Sequence, residues 1–206
     1  MYTNRFDKRQ IRSAVFSAVV FCSNIAPAST TIVSYDFDDL SGAFENAPET
    51  VAPEIDAPAW FDRHGSLTNF TGDPGRALAA RTFLEGNTLT LILGIAPGFG
   101  ASLDSYSFDH MASASGPIIW DLQINAVNVA GGDTSTSFSN VSGDLLPGAV
   151  ANTITVELSA SGAASNSGTY RLDNFVLTGT LTPVPIVPGI VLFGSALAFM
   201  PARRMR

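Results

Sequence analysis

The side chains that could do chemistry in this chain are carboxylates and aromatics. Asp36, Asp38 and Asp39 cluster within four residues, and Asp173 with Asn174 stands far downstream. Aspartate, asparagine and backbone carbonyls are oxygen donors, which Ca²⁺ takes in sets of about six to eight. Asp36, Asp38 and Asp173 are therefore candidate calcium ligands; the alternative is that they are turn and strand-edge acids of an acidic protein. Trp60 and Phe61 adjoin a proline-rich stretch. They are candidates to stack against a sugar ring, and the alternative is that they plug the edge of a folded core.

Nothing in the sequence assembles a catalytic centre. His64 lies in Asp62-Arg63-His64-Gly65, which reads as a solvated turn, and His110 falls in the apolar phase of an alternating run, as a packed histidine would. No G-x-S-x-G, H-E-x-x-H, phosphate-binding loop or dinucleotide fingerprint occurs. The many acids give no reason to select a glycosidase pair. The expectation is a protein that is not an enzyme, with calcium as its one candidate cofactor. The sole cysteine, Cys22, lies near the N-terminus, so the rest of the chain has no disulfide, thiolate metal site or cysteine nucleophile.

The elements that must position these residues alternate with period two, the strand signature. Val33, Tyr35 and Phe37 share one phase, as do Leu89, Leu91 and Leu93. Tyr106, Phe108 and His110 oppose Ser105, Ser107 and Asp109. Ile118 to Ala126 puts Ile118, Trp120, Leu122, Ile124 and Ala126 inward, and Ile154, Val156 and Leu158 follow the same rule. Tyr170 and Leu172 share a phase that shifts to Phe175 and Leu177, which predicts a bulge near Asp173-Asn174. Turn signals stand at Gly72-Asp73-Pro74-Gly75, Glu85-Gly86-Asn87, Pro97-Gly98, Gly131-Gly132-Asp133, Pro147-Gly148 and Gly162 to Gly168. Glu45 to Pro58 reads as a long surface loop, and Arg76 to Leu84 as an ambiguous short helix. The pattern predicts an all-β, jelly-roll-like antiparallel β-sandwich over residues 29–182.

Both ends carry addresses. Arg5, Lys8, Arg9 and Arg12 precede the apolar run Ala14 to Cys22, and Ala26-Pro27-Ala28 offers small residues for cleavage after Ala28. This is the pattern of a secretory signal peptide, residues 1–28, handled by the Sec export machinery. At the other end, residues 183–206 hold the apolar run Ile186 to Met200, closed by Arg203, Arg204 and Arg206. At ~1.5 Å per residue, Val184 to Met200 would cross a membrane thinly as one transmembrane helix of about 25 Å. With those ends set aside, four arginines face seventeen acids, a net charge near −13, which argues against nucleic acid as a partner.

Val184-Pro185, Pro188, Leu192-Phe193-Gly194-Ser195-Ala196 and the arginine end together resemble the PEP-CTERM type of sorting signal, in its VPLPA-like variant. The resemblance covers about 24 of 206 residues. It implies recognition by an exosortase, a membrane-embedded cysteine transpeptidase, in a Gram-negative bacterium that makes exopolysaccharide. Ser107-Phe108-Asp109, Trp120 to Ile124 and Tyr170 to Phe175 resemble the sandwich domains that often precede such tails. In jelly-roll carbohydrate-binding modules the first and last strands are neighbours, and carboxylates there often hold calcium. The leading expectation is a non-enzymatic surface or extracellular-matrix protein, membrane-anchored until an exosortase processes it. The alternative is a carbohydrate-binding sandwich, calcium-dependent or not, acting on exopolysaccharide.

Overall fold

The structure is a computed structural model that describes residues 28–38, 46–146 and 148–184. The strands run in chain order as β1 (Thr30–Tyr35), β2 (Thr50–Val51), β3 (Ile55–Asp56), β4 (Phe61–Asp62), β5 (Thr68–Thr71), β6 (Arg76–Ala80) and β7 (Asn87–Ile95). They continue as β8 (Phe99–Ala112), β9 (Ile119–Ile124), β10 (Val127–Asp133), β11 (Ser139–Asp144), β12 (Ala149–Ala151), β13 (Thr153–Ser161) and β14 (Tyr170–Pro183). They form two antiparallel sheets packed face to face. One contains β11-β8-β14-β1-β2, with β12 beside β8, β6 beside β14, and β5 beyond β6. The other contains β10-β9-β13-β7-β3, with β4 also on β7. The all-β, two-sheet antiparallel sandwich expected from the alternation is what the chain forms.

The apolar phases meet between the sheets. Leu89, Leu91, Leu93, Leu122, Ile154, Val156 and Leu158 come from one sheet, and Ile32, Leu78, Phe108, Leu172 and Leu177 from the other. Each such side chain contributes about 1.5–3 kcal/mol by leaving water. Two aromatic chains run through this core. Tyr35 stacks on Phe37 and meets Trp60 edge-on, and Trp60 meets Phe175 edge-on at 5.1 Å. His110 sits against Phe108, Trp120 and Tyr170. It is a packed histidine, 2% exposed. His64 is exposed in its turn, with Nε2 3.3 Å from the Gly86 carbonyl.

Several expectations need correction. Arg76–Ala80 is strand β6, followed by a 3₁₀ turn at Phe83–Glu85, because the β5 edge and the start of β14 claim its backbone groups. The Glu45–Pro58 stretch includes two short strands, β2 on β1 and β3 on β7. Gly131-Gly132-Asp133 lies inside β10 instead of turning. The turn is at Asn125-Ala126, both at positive φ, a two-residue hairpin that ends β9 at Ile124. Ile118 is 60% exposed ahead of β9, although its phase placed it inward. The phase shift in the last strand is present: register slips between Asp173 and Val176, with Asn174 at φ 49.

β14 extends through Pro183, and the Val184 N–H donates to the Gly98 carbonyl at 2.8 Å. The first two residues of the expected sorting segment thus belong to the sandwich. Ala26 of the cleavage pattern, and Pro185, Pro188, Leu192, Phe193, Gly194, Arg203, Arg204 and Arg206 of the tail, lie outside the described residues. Among the described residues no helix is long and apolar enough to cross a membrane.

Candidate functional site

Strand pairing places one straight row of side chains across the outer face of the β10-β9-β13-β7 sheet. Phe61 pairs with Thr90, Thr90 with Glu157, Glu157 with Gln123, and Gln123 with Asn128. Residues in register across a ladder share a face. That this is the outer face follows from the neighbouring row, in which Asp62, Leu89, Leu158 and Leu122 are all buried. At about 4.8 Å between strands, five residues span roughly 19 Å.

The row begins with an apolar ring and continues with polar groups. Phe61 is 47% exposed, held in place because its neighbours on either side are fixed in the fold. The Trp60 N–H donates to Asn46 Oδ1. Asp62 accepts from the Ser66 hydroxyl at 2.6 Å and from Asn87 at 2.8 Å. Burial alone would push the Asp62 carboxyl up, but the hydrogen bonds from Ser66, Asn87 and Leu67 outweigh it and hold the group below its ordinary value. Beyond Phe61, Glu157 supplies acceptors only, while Gln123 and Asn128 supply both donors and acceptors. The next row along the strands adds Asp121 in register with Ser159, and Asn128 Nδ2 lies 3.4 Å from Asp121 Oδ1. A cleft of about 250 Å³ opens beside Phe61, lined also by Gly65 and Leu67.

Trp60 has no part in this surface. It is 2% exposed, wedged between Tyr35 and Phe175; it stands just ahead of β4 and faces the side opposite to Phe61. The expected pair therefore splits, with Trp60 in the core and Phe61 on the face. Sequence reasoning missed Glu157, Gln123, Asn128 and Asp121. The outward phase of the alternating runs contained all but Asn128, yet only the strand order aligns them.

The acids form a second constellation on the other sheet. β1 pairs with β14, which brings the end of the first strand beside the last. Asp173 is fully buried and accepts N–H groups from Asp73 at 2.8 Å and Asn174 at 2.9 Å. Burial, with smaller contributions from the charges of Asp38 and Asp109, pushes its carboxyl up to about 6 despite those hydrogen bonds. The β5–β6 turn wraps these groups: a Cβ on Gly72 would fall on Asp173 Oδ2, and one on Gly75 on Asp38 Oδ1. Asp38 accepts the Arg76 N–H, and Asn174 Nδ2 bridges the Asp73 carbonyl and Asp109. Asp36 differs from the other two candidates, since its Oδ1 accepts the Asp38 N–H and closes a local turn. Among the described residues, no three acidic, histidine or cysteine side chains are grouped to hold one ion.

No family model matches the chain, and no curated relative does. Solved structures similar to it include several carbohydrate-binding modules and a family two carbohydrate esterase of Cellvibrio japonicus. The CBM22-1 xylan-binding domain of Paenibacillus barcinonensis Xyn10C is 14% identical, with TM-score 0.48, over 75% of this chain and 97% of that one. A family 29 module of Piromyces equi is 11% identical, with TM-score 0.42, over 75% and 93%. TmCBM61, solved with β-1,4-galactotriose, is 11% identical, with TM-score 0.42, over 57% and 86%. The expectation of a non-enzymatic surface protein defined by exosortase sorting is corrected accordingly. Carbohydrate-binding modules stand among the similar structures where an exosortase substrate was expected, and the sorting residues from Pro185 onward lie outside the described residues.

Proposed function

We propose that this domain binds a polysaccharide along the outer face of the β10-β9-β13-β7 sheet, without cleaving it. The observation that carries this reading is the row Phe61, Thr90, Glu157, Gln123, Asn128. A sugar ring has an apolar face of C–H groups and an edge of hydroxyls. An exposed phenyl ring suits the face, and carboxylate and amide groups suit the hydroxyls. The finer topology belongs to the same proposal: successive strands pass between the sheets from β7 to β8, β10 to β11, β12 to β13 and β13 to β14, which supports a jelly-roll closure. Export through the signal peptide ending at Ala28, and the PEP-CTERM resemblance of the tail, would deliver the module to exopolysaccharide beyond the inner membrane.

The test is retention on a panel of soluble neutral glycans. Wild type should be retained on at least one, and Phe61→Ala should lose that retention while its melting temperature holds. Equal retention of the two proteins removes the proposal.

A calcium ion on the other sheet is a second reading, favoured by the cradle that Gly72 and Gly75 leave for two carboxylates. Asp38 and Asp173 would be its side-chain ligands, with backbone carbonyls completing the set, and Asp36 takes no part. The ion would neutralise the buried Asp173 and fix the β5–β6 turn against β14. EDTA-treated protein whose melting temperature does not change on adding Ca²⁺ excludes it.

A further inference from the structure

Only four arginines serve residues 29–182, and two of them converge on one ring. The Arg171 guanidinium carbon lies 4.7 Å from the centroid of Phe70, and that of Arg81 lies 5.7 Å away. Both distances are within cation–π range. Register puts Arg171 level with Ala79, and Phe70 level with Ala77, on the outer face of the sheet; Leu78 and Leu172, of the opposite phase, are buried inside. Ala77 and Ala79 are too small to rise between the larger groups, so Phe70 and the guanidiniums stand on a low floor.

The Arg171 guanidinium and the Arg81 backbone are held in place. Arg171 donates through Nη1 to the Thr71 carbonyl at 3.2 Å. The Arg81 N–H donates to Ser66 Oγ at 3.0 Å, and its carbonyl accepts from Asn87 Nδ2 at 2.7 Å. Yet neither guanidinium meets a carboxylate among the described residues, although the body carries seventeen acids. The Arg171 Nε is buried with no partner. A half-buried guanidinium beside a second one on the same ring, neither with a carboxylate partner among the described residues, suits a planar anion, which guanidiniums bind in a two-pronged fashion. Phe70 and Arg171 are half-buried and Arg81 is exposed, so the group is open to solvent along the sheet face, as contact with a polymer requires.

We propose that Arg81, Phe70 and Arg171 form a second polysaccharide contact that takes the carboxylate of a uronic-acid residue. The two sheets then present opposite chemistry to one heteropolysaccharide: amides and carboxylates for neutral sugars on one side, guanidiniums for acidic sugars on the other. The test is affinity electrophoresis of the full chain at low salt in gels containing polygalacturonate, dextran sulfate or dextran. The expected result is retardation by polygalacturonate alone, weakened about tenfold by Arg171→Lys, which keeps the charge but loses the planar fork. Arg81→Gln alters an exposed side chain and should weaken it similarly in a protein whose melting temperature is unchanged. No retardation by polygalacturonate overturns the proposal, as does retardation that survives both substitutions. Equal retardation by dextran sulfate also overturns it, by showing a response to polyanions in general. Neutral glycans report the other sheet and polygalacturonate reports this one, so either proposal can fail without the other.

Discussion

Asp73 and Asp173, a hundred residues apart, are joined by a single hydrogen bond from the Asp73 N–H to Asp173 Oδ2 at 2.8 Å. It ties the β5–β6 turn to the last strand at the point where β14 bulges. The acceptor is a fully buried carboxylate, raised by that burial from 3.8 to about 6.

The sign of the resulting pH effect is fixed. A carboxylate raised in the folded state contributes stability below its unfolded pKa and loses it as pH climbs through the folded one. In EDTA, Asp173 therefore works against the fold above about pH 6. If the cradle holds calcium, the ion needs the ionised form. Millimolar Ca²⁺ should then raise the melting temperature by several degrees at about pH 7.5 and leave it unchanged at about pH 4.5. Equal stabilisation at both values would place the ion elsewhere.

His110 acts in the opposite direction. Burial among Phe108, Trp120 and Tyr170 lowers its pKa from 6.5, and the neighbouring Asp109 offsets this only in part. A histidine depressed in the folded state contributes full stability above 6.5 and loses it as pH falls below that value. In urea titrations wild type should lose stability relative to His110→Phe between about pH 7.5 and about pH 5, as the variant has no proton to take up. A constant difference between the two proteins across that range would count against the buried neutral imidazole.

The adjacent aromatics should separate stability from binding. Trp60→Ala empties a core site and should cost about 3–5 kcal/mol. Phe61→Ala, at an exposed site, should change stability by no more than about 0.5 kcal/mol. Denaturant unfolding gives both values, and glycan retention should follow Phe61 alone.

Asp62 is the support beneath that ring. Asp62→Ala would leave the Ser66 N–H without an acceptor and leave the Ser66 hydroxyl and Asn87 with only their contacts to Arg81 and each other, at a cost of about 1–3 kcal/mol. Because the group is depressed in the folded state, its contribution is present above 3.8 and lost as pH falls through the lower value. The deficit of the variant relative to wild type should shrink in acid, which paired melts at about pH 3 and 7 would detect.

The sequence announced the long strands because one face of each is buried: Leu89, Leu91 and Leu93, or Ile154, Val156 and Leu158, leave an alternation that solvent does not blur. It concealed β10 and β11, whose exposed Val127, Asn128, Ser139 and Asn140 carry no apolar phase and whose glycines imitate a turn. Arg76-Ala77-Leu78-Ala79-Ala80 reads as a helix on local preference, and tertiary pairing to β5 and β14 overrides that preference. The acidic site was half legible, since the proximity of first and last strands follows from the fold class. The binding row was not, because Phe61, Glu157, Gln123 and Asn128 come from four strands whose order no local pattern records.

The pairing of β14 has a mechanical side. The strand is hydrogen-bonded along one edge to β8 from Tyr170 to Pro183, and along the other to β6 and then β1. It is also the strand through which the domain joins whatever follows Val184. Tension arriving from that side, with the opposite sheet fastened to a polymer, would draw the strand lengthwise between its neighbours. Ladder bonds lie across that direction and must yield together instead of opening one after another. A domain whose one cysteine lies ahead of the sandwich would thus resist, without a disulfide, being pulled apart along β14 if the outer face of the other sheet holds a polymer as proposed.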